Sequence, residues 1–205
     1  MENRSLEAKR AKLLETASQM LERSGYRQFK VAELAREASV SISTVYALFG
    51  SKEGLFLAYL ETKIRELFDA IERVAEQDPI LRLKHYASVV FGMAEKGKLI
   101  HEEGIRNNPL FFNTLSNEFP ESSKKLYAFL AACLSEINPE LDERQACRLG
   151  YGFNGQLHGY MRYWVTVGGS PQALSEELCN TYVCLARECY PHRRTGAWQH
   201  GEARI

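Results

Sequence analysis

The sequence predicts an all-α protein: a three-helix N-terminal unit containing a helix-turn-helix, followed by a larger C-terminal helical bundle. Three observations carry that expectation. Apolar residues recur at intervals of three and four along most of the chain, the period of one helical face. The interruptions fall at helix stops: Gly25, Gly50-Ser51, Asp78-Pro79, Gly97, Asn107-Asn108-Pro109, Phe119-Pro120, Asn138-Pro139 and Gly168-Gly169. Past Pro79 there is no Val- and Thr-rich alternation, no hairpin signal and no repeat.

In chain order, Leu6, Leu13, Leu14, Ala17, Met20 and Leu21 form the buried stripe of a first helix that stops at Ser24-Gly25. Val31, Leu34, Ala35 and Ala38 give the second helix one apolar face, and a turn at Ser39 leads to a short helix over Ser43–Phe49. From Lys52 one long helix runs to about Gln77, with Leu55, Leu60, Ile64, Leu67, Phe68, Ile71 and Val74 at helical intervals. Pro79 ends it, because proline disfavours helix in the residue before it. Beyond lie helices expected over Ile80–Lys96, Ile100–Arg106, Pro109–Glu118, Glu121–Ile137, Asp142–Val167 and Pro171–Cys189.

Two short helices joined by a few polar residues make the unit that sets a recognition helix in the major groove of DNA. With Val40, Val45, Leu48 and Phe49 turned inward, Ser41, Ser43, Thr44, Tyr46 and Lys52 are left exposed. Hydroxyls, a phenol and an ammonium bond phosphate oxygens and base edges. Lys30, opening the second helix, is placed to meet a phosphate. A hairpin that packs on its own domain and binds nothing is the plain alternative. The joint spacing of Thr44, Tyr46, Phe49 and Lys52 favours DNA.

Residues from about Leu6 to Leu60 resemble the DNA-binding domain of the TetR/AcrR family of bacterial transcriptional regulators. The likeness runs through Leu13 to Ala17, Gly25, Phe29, Val31 to Ala38, Val40-Ser41, Thr44, Tyr46, Phe49, Ser51-Lys52-Glu53 and Leu55-Phe56. Three positions depart from it. Ser39 stands where the family usually has Gly, at a cost of about 1 kcal/mol in a left-handed turn. Ile42 stands where a basic residue is common, and Ala47 where His is common. Base contacts are therefore fewer and more apolar, a thymine methyl being one partner within reach. Arg4, Lys9 and Arg10 serve either as a solvated face or as an arm for an adjacent minor groove. The resemblance implies a DNA-binding domain over 1–66, with the helix-turn-helix at about 30–49 and the linking helix at 52–77. It also implies an effector-binding and dimerisation domain over 67–190, ahead of a polar tail at 191–205.

The C-terminal region is rich in rings: twelve of the 22 Phe, Tyr and Trp residues lie between Tyr86 and Trp164. A core accounts for most of them, yet a ligand cavity also needs aromatic walls and a few orienting polar groups. Asn154, His158 and Arg162, spaced by four, with Phe111, Phe112 and Tyr127 from other helices, are the ligand residues this reading selects. Gly152, Gly155 and Gly159 allow close helix approach. Together with Leu178, Tyr182 and Leu185 they are the expected dimer face. Gly150-Tyr151-Gly152-Phe153-Asn154-Gly155 spells a dinucleotide fingerprint, but the charged, helix-like LDERQACRL precedes it where a hydrophobic strand is required.

Composition bounds the rest. The 205 residues are 45% hydrophobic and 25% charged with zero net charge, which argues against a bulk polyanion binder. Met1 to Gly54 holds nine basic and seven acidic residues, so affinity rests on placed contacts. No segment suits a membrane span, and the N-terminus is too polar for a signal peptide. Cys133, Cys147, Cys179, Cys184 and Cys189 lack paired-ligand spacing, which reads as reduced and cytoplasmic. A redox or metal role for Cys184, Cys189 and His192 is the lesser reading. No nucleophile, base or metal cluster stands at sensible spacing, so no enzyme, metal or cofactor is expected.

The expected function is a homodimeric, ligand-responsive repressor that binds double-stranded operator DNA, its effector an unknown small molecule. An effector-independent architectural or division-control DNA binder on the same scaffold is the alternative, and a nucleotide-binding enzyme a distant third.

Overall fold

The computed structural model describes residues 2–73, 78–107 and 117–188, and these are helical with no strand among them. The helix-turn-helix comes first. Helix α1 (Glu2–Gln28) is broken at Gly25, whose φ of 73° only a residue without Cβ adopts freely. Helix α2 (Val31–Glu37) leads into Ser39, a non-glycine in the left-handed region at φ 58°, as the turn requires. Helix α3 (Ile42–Phe49) starts one residue earlier than expected, because Ser41 caps it by accepting the Thr44 N–H. Gly50, at φ 74°, ends it, and the Ser51 hydroxyl accepts the Gly54 N–H to open α4 (Lys52–Arg73).

The bundle follows. Asp78 caps α5 (Pro79–Lys96), and Pro79 occupies the first turn, where its missing N–H costs nothing. Gly97 separates α5 from α6 (Lys98–Asn107). Proline likewise opens α7 (Pro120–Ile137) and α9 (Pro171–Glu188), while a reciprocal Asp142–Gln145 capping box opens α8 (Glu143–Val167). Most of the helix expected over Pro109–Glu118, the end of the long helix at 74–77, and the tail from Cys189 lie outside the described residues.

Two cores form. The N-terminal one joins Leu13, Ala17 and Leu21 of α1 to Leu34 and Ala35 of α2, Val45 of α3, and Leu55 and Tyr59 of α4. Leu6 is not part of it: the stripe continues in the sequence, but α1 is first deeply covered at Leu13, and Leu6 is half exposed. The C-terminal core packs Leu83, Tyr86 and Phe91 of α5 against Leu130 and Leu134 of α7, Phe153 and Leu157 of α8, and Leu178 of α9. Helix α4 serves both, because Leu67 and Ile71 farther along it rest on this second core. Ile100 of α6 is 4% exposed and belongs to the N-terminal core, although it arrives from the other half of the chain.

Candidate nucleic-acid interface and adjoining cavity

Helix α3 stands with one side in the N-terminal core and the other in solvent. Val45 is buried and Leu48 and Phe49 are half-buried, while Ile42 (46%), Tyr46 (45%), Ser43 and Ala47 are exposed. None of its eight residues is charged. The Ser41 hydroxyl accepts the Thr44 N–H at 3.1 Å and lies 2.7 Å from both Ser43 Oγ and Thr44 Oγ1. One donor and two acceptors are then all in use, so Ser41 is committed to capping, while Ser43 and Thr44 keep bonding capacity. Lys30 stands at the N-cap of α2, exposed, 3.3 Å from Glu33.

Lys52 corrects the expectation of an exposed ammonium. It is half-buried, donates to the Tyr26 carbonyl at 2.8 Å, and lies 4.3 Å from the centre of the Tyr26 ring. Because α1 turns at Gly25, its last carbonyls face the start of α4, and the amine satisfies one of them. Glu53 accepts the Tyr26 hydroxyl at 3.2 Å, and that carboxyl sits below its ordinary range, chiefly from the backbone N–H bond at the helix start. The Lys52–Glu53 pair therefore fixes α4 to α1.

Behind this unit lies a cavity of about 780 Å³. Its wall takes Leu14 and Ser18 from α1, Leu60, Ile64 and Phe68 from α4, Tyr86, Val90 and Met93 from α5, Ile100 and His101 from α6, Leu126 from α7, and Asn154, His158 and Met161 from α8. At its inner end Tyr86 donates to Asn154 Oδ1 at 2.8 Å, and Asn154 donates to the Tyr127 hydroxyl at 3.2 Å. Burial raises the Tyr86 phenol far above its ordinary value. It also lowers His101 to about 4, and burial, aided by His101, lowers His158 to about 4, so both imidazoles are neutral near pH 7.

Of the expected ligand residues, Asn154 and His158 line this space and Tyr127 bonds to Asn154. Arg162 is on the exposed side of α8. A helix turns by 3.6 residues, so a spacing of four drifts about 40° per step. Eight residues past Asn154 the side chain has left the cavity, and Met161, seven past, has taken the place. Phe111 and Phe112 lie outside the described residues.

Residues 13–59 match the family model for bacterial regulatory proteins of the tetR family. The N-terminal unit, α1 to the start of α4, is a TetR-type DNA-binding domain by that match. It is 29% identical over 117 residues to the uncharacterized HTH-type transcriptional regulator YvkB of Bacillus subtilis, covering 56% of this chain and 61% of that one. It is 31% identical over 90 residues to the nucleoid occlusion factor SlmA of Marinomonas, covering 43% and 46%. These matches thus span about half the length of the curated relatives. Among solved structures, a tetR-family transcriptional regulator from Streptomyces coelicolor superposes with a TM-score of 0.68 at 19% identity, covering 86% of this chain and 79% of that one. FadR of Bacillus subtilis, solved with stearoyl-CoA, superposes with a TM-score of 0.61 at 20% identity, covering 84% and 97%. The chain thus shares the fold of these solved TetR-family structures over most of its length.

The TetR-type bundle divides the expected dimer residues. Leu178 and Tyr182 are buried in the core of their own chain, which corrects their assignment to a free face. A stripe on α9 had to be covered, and α5 and α8 cover it. Gly152 belongs with them, since a Cβ there would stand 2.7 Å from the Tyr182 hydroxyl oxygen. Leu185 is half-buried against the same core. Gly155 and Gly159 face open space, and Tyr151 and Tyr163 on the same helix are about half exposed. The glycine-rich fingerprint lies in mid-α8, with no strand before it. Sequence reasoning missed Tyr86, His101 and Ile100, which read as ordinary members of helical stripes.

Proposed function

We propose that this regulator is a ligand-responsive repressor that binds a palindromic operator as a cytoplasmic homodimer. The observation that supports it is the cavity wall, shared by α1 and α4 of the N-terminal unit and by α5 to α8 of the bundle. A guest there touches both halves of the protein. Helix α4 carries Leu55 and Tyr59 in one core, Leu67 and Ile71 against the other, and the cavity wall between them. Helix α6 adds a second link: Ile100 sits in the N-terminal core, and Glu103 accepts the Arg27 N–H at 3.0 Å beside the Gly25 break.

In the mechanism we infer, the effector favours a tilt of α4 that changes the separation of the two α3 helices. Half-sites about 34–36 Å apart, or a multiple of it, then fit one state better than the other. Coupling of about 1–3 kcal/mol, five- to 150-fold, is usual for such a link. The effector has an apolar body for Leu14, Val90 and Met93 and a hydrogen-bonding group for Asn154 and His158, with charged side chains such as Arg10, Lys63 and Lys96 also on the wall. The stearoyl chain held by the FadR neighbour is one body of that kind.

Selection from random duplex DNA, followed by a small-metabolite screen for release, tests this. Palindromic sites released by one chemical class are the expected result. A dimer that keeps its operator against every class and binds none by calorimetry refutes ligand response. It supports instead the effector-independent, division-control reading that the SlmA likeness favours.

A further inference from the structure

We propose that α3 reads its operator through thymine methyl groups, with Ile42 as the principal reader and Ala47 and the Tyr46 ring beside it. The inference rests on the reading of α3 as the recognition helix and goes beyond it by naming the base chemistry the helix selects.

Ile42 opens α3 and is 46% exposed, and Tyr46, one turn on, is 45% exposed. Residues at i and i+4 share a face, so these two form one apolar ridge. Ala47 is exposed beside it, too short to hold any base at a distance. The polar groups free to read hydrogen-bonding edges are few: Ser43 and Thr44 remain, and a hydroxyl bonds a donor or an acceptor alike and so discriminates bases weakly. Ser41 is saturated by its cap and its two neighbouring hydroxyls, and Lys52 is held by the Tyr26 carbonyl. No side chain of α3 can make the bidentate guanine contact of Arg or Lys, or the adenine contact of Asn or Gln. In the major groove the thymine C5 methyl is the apolar group that distinguishes a base, and an aliphatic side chain is its partner. A β-branched residue in a helix has one strongly preferred χ1 rotamer, so Ile42 presents its methyls with little entropy left to lose. Covering one methyl favours binding by about four-fold, from ~0.8 kcal/mol per buried methylene-sized group.

The test uses the full chain and the duplexes it selects from random DNA. Thymines of each half-site are replaced singly by deoxyuridine, which pairs identically and lacks only the methyl. At one or two positions per half-site the expected loss is about four-fold, and about fifteen-fold for the symmetric pair. Ile42→Ser, at an exposed site where the thermal midpoint should not change, should bind thymine and deoxyuridine alike at one of those positions, the one under Ile42, with the salt slope preserved. Selected half-sites without a common thymine, deoxyuridine duplexes that bind like the parent, or an Ile42→Ser protein that keeps the parent's methyl discrimination at every position would each overturn the proposal. Failure to retain any duplex at low salt would instead refute the recognition-helix reading on which it rests.

Discussion

Acid should unfold this protein through two imidazoles. His101 and His158 line the cavity with values lowered from 6.5 to about 4, by burial in both cases and additionally by their proximity for His158. Above pH 6.5 both are neutral whether the chain is folded or not, and stability does not depend on them. As the pH falls below 6.5 the unfolded chain takes up protons that the folded one refuses, so stability falls until the folded values near 4 are reached. At pH 5.5 the loss is about 1.4 kcal/mol for each imidazole and ~3 kcal/mol for both. With a denaturant slope of about 2 kcal/mol per molar urea, the midpoint should drop by about 1.5 M between pH 7.5 and 5.5. Protein concentration must be constant, because any association of subunits would add to apparent stability. The double variant His101→Gln, His158→Gln should be less stable at pH 7.5 yet lose most of this pH slope. Parallel slopes for parent and variant would refute the claim that these side chains are buried in their neutral form.

Four further outcomes follow from the contacts described. Tyr86→Phe leaves Asn154 Oδ1 buried without its 2.8 Å donor, which should cost about 1–3 kcal/mol in urea unfolding. Lys52→Ala removes the bond to the Tyr26 carbonyl and the ring contact; it should cost about 1–2 kcal/mol and weaken binding about equally on all DNA sequences. Unchanged stability would return Lys52 to a purely phosphate-facing role. Ser41→Ala deletes the α3 cap and should cost about 1 kcal/mol by thermal unfolding. Gly155→Leu meets nothing in its own chain, so helix content should be unaffected while the dimer dissociation constant rises at least about ten-fold in sedimentation; an unaltered dimer would remove Gly155 from the interface.

Most helix boundaries were legible because caps and breaks are local. Asp78 and Asp142 cap by accepting nearby N–H groups, Pro79, Pro120 and Pro171 start helices, and Gly25, Gly50 and Gly168 relieve a positive φ, all within a few residues of sequence. The left-handed turn at Ser39 and the outward side of α3 were legible for the same reason: the period of Val31, Leu34, Ala35, Ala38 and Val45 sets which side is buried.

Which partner covers each apolar stripe was a tertiary decision. Leu178 and Tyr182 look equally apt for a second subunit, and only the positions of α5 and α8 assign them to the chain's own core. Ile100 lies 41 residues past Tyr59, yet packing places it in the N-terminal core. Arg162 and Met161 exchange the roles that a spacing of four assigned, because angular drift along a helix matters only once a neighbour defines where the cavity lies. Lys52 carries a charge that any sequence reading sends to solvent; the carbonyl that holds it comes from Tyr26, on another helix. Sequence thus determined the helices and their faces through short-range sterics and capping, whereas the cavity, walled by helices of both cores, arose from where those faces met.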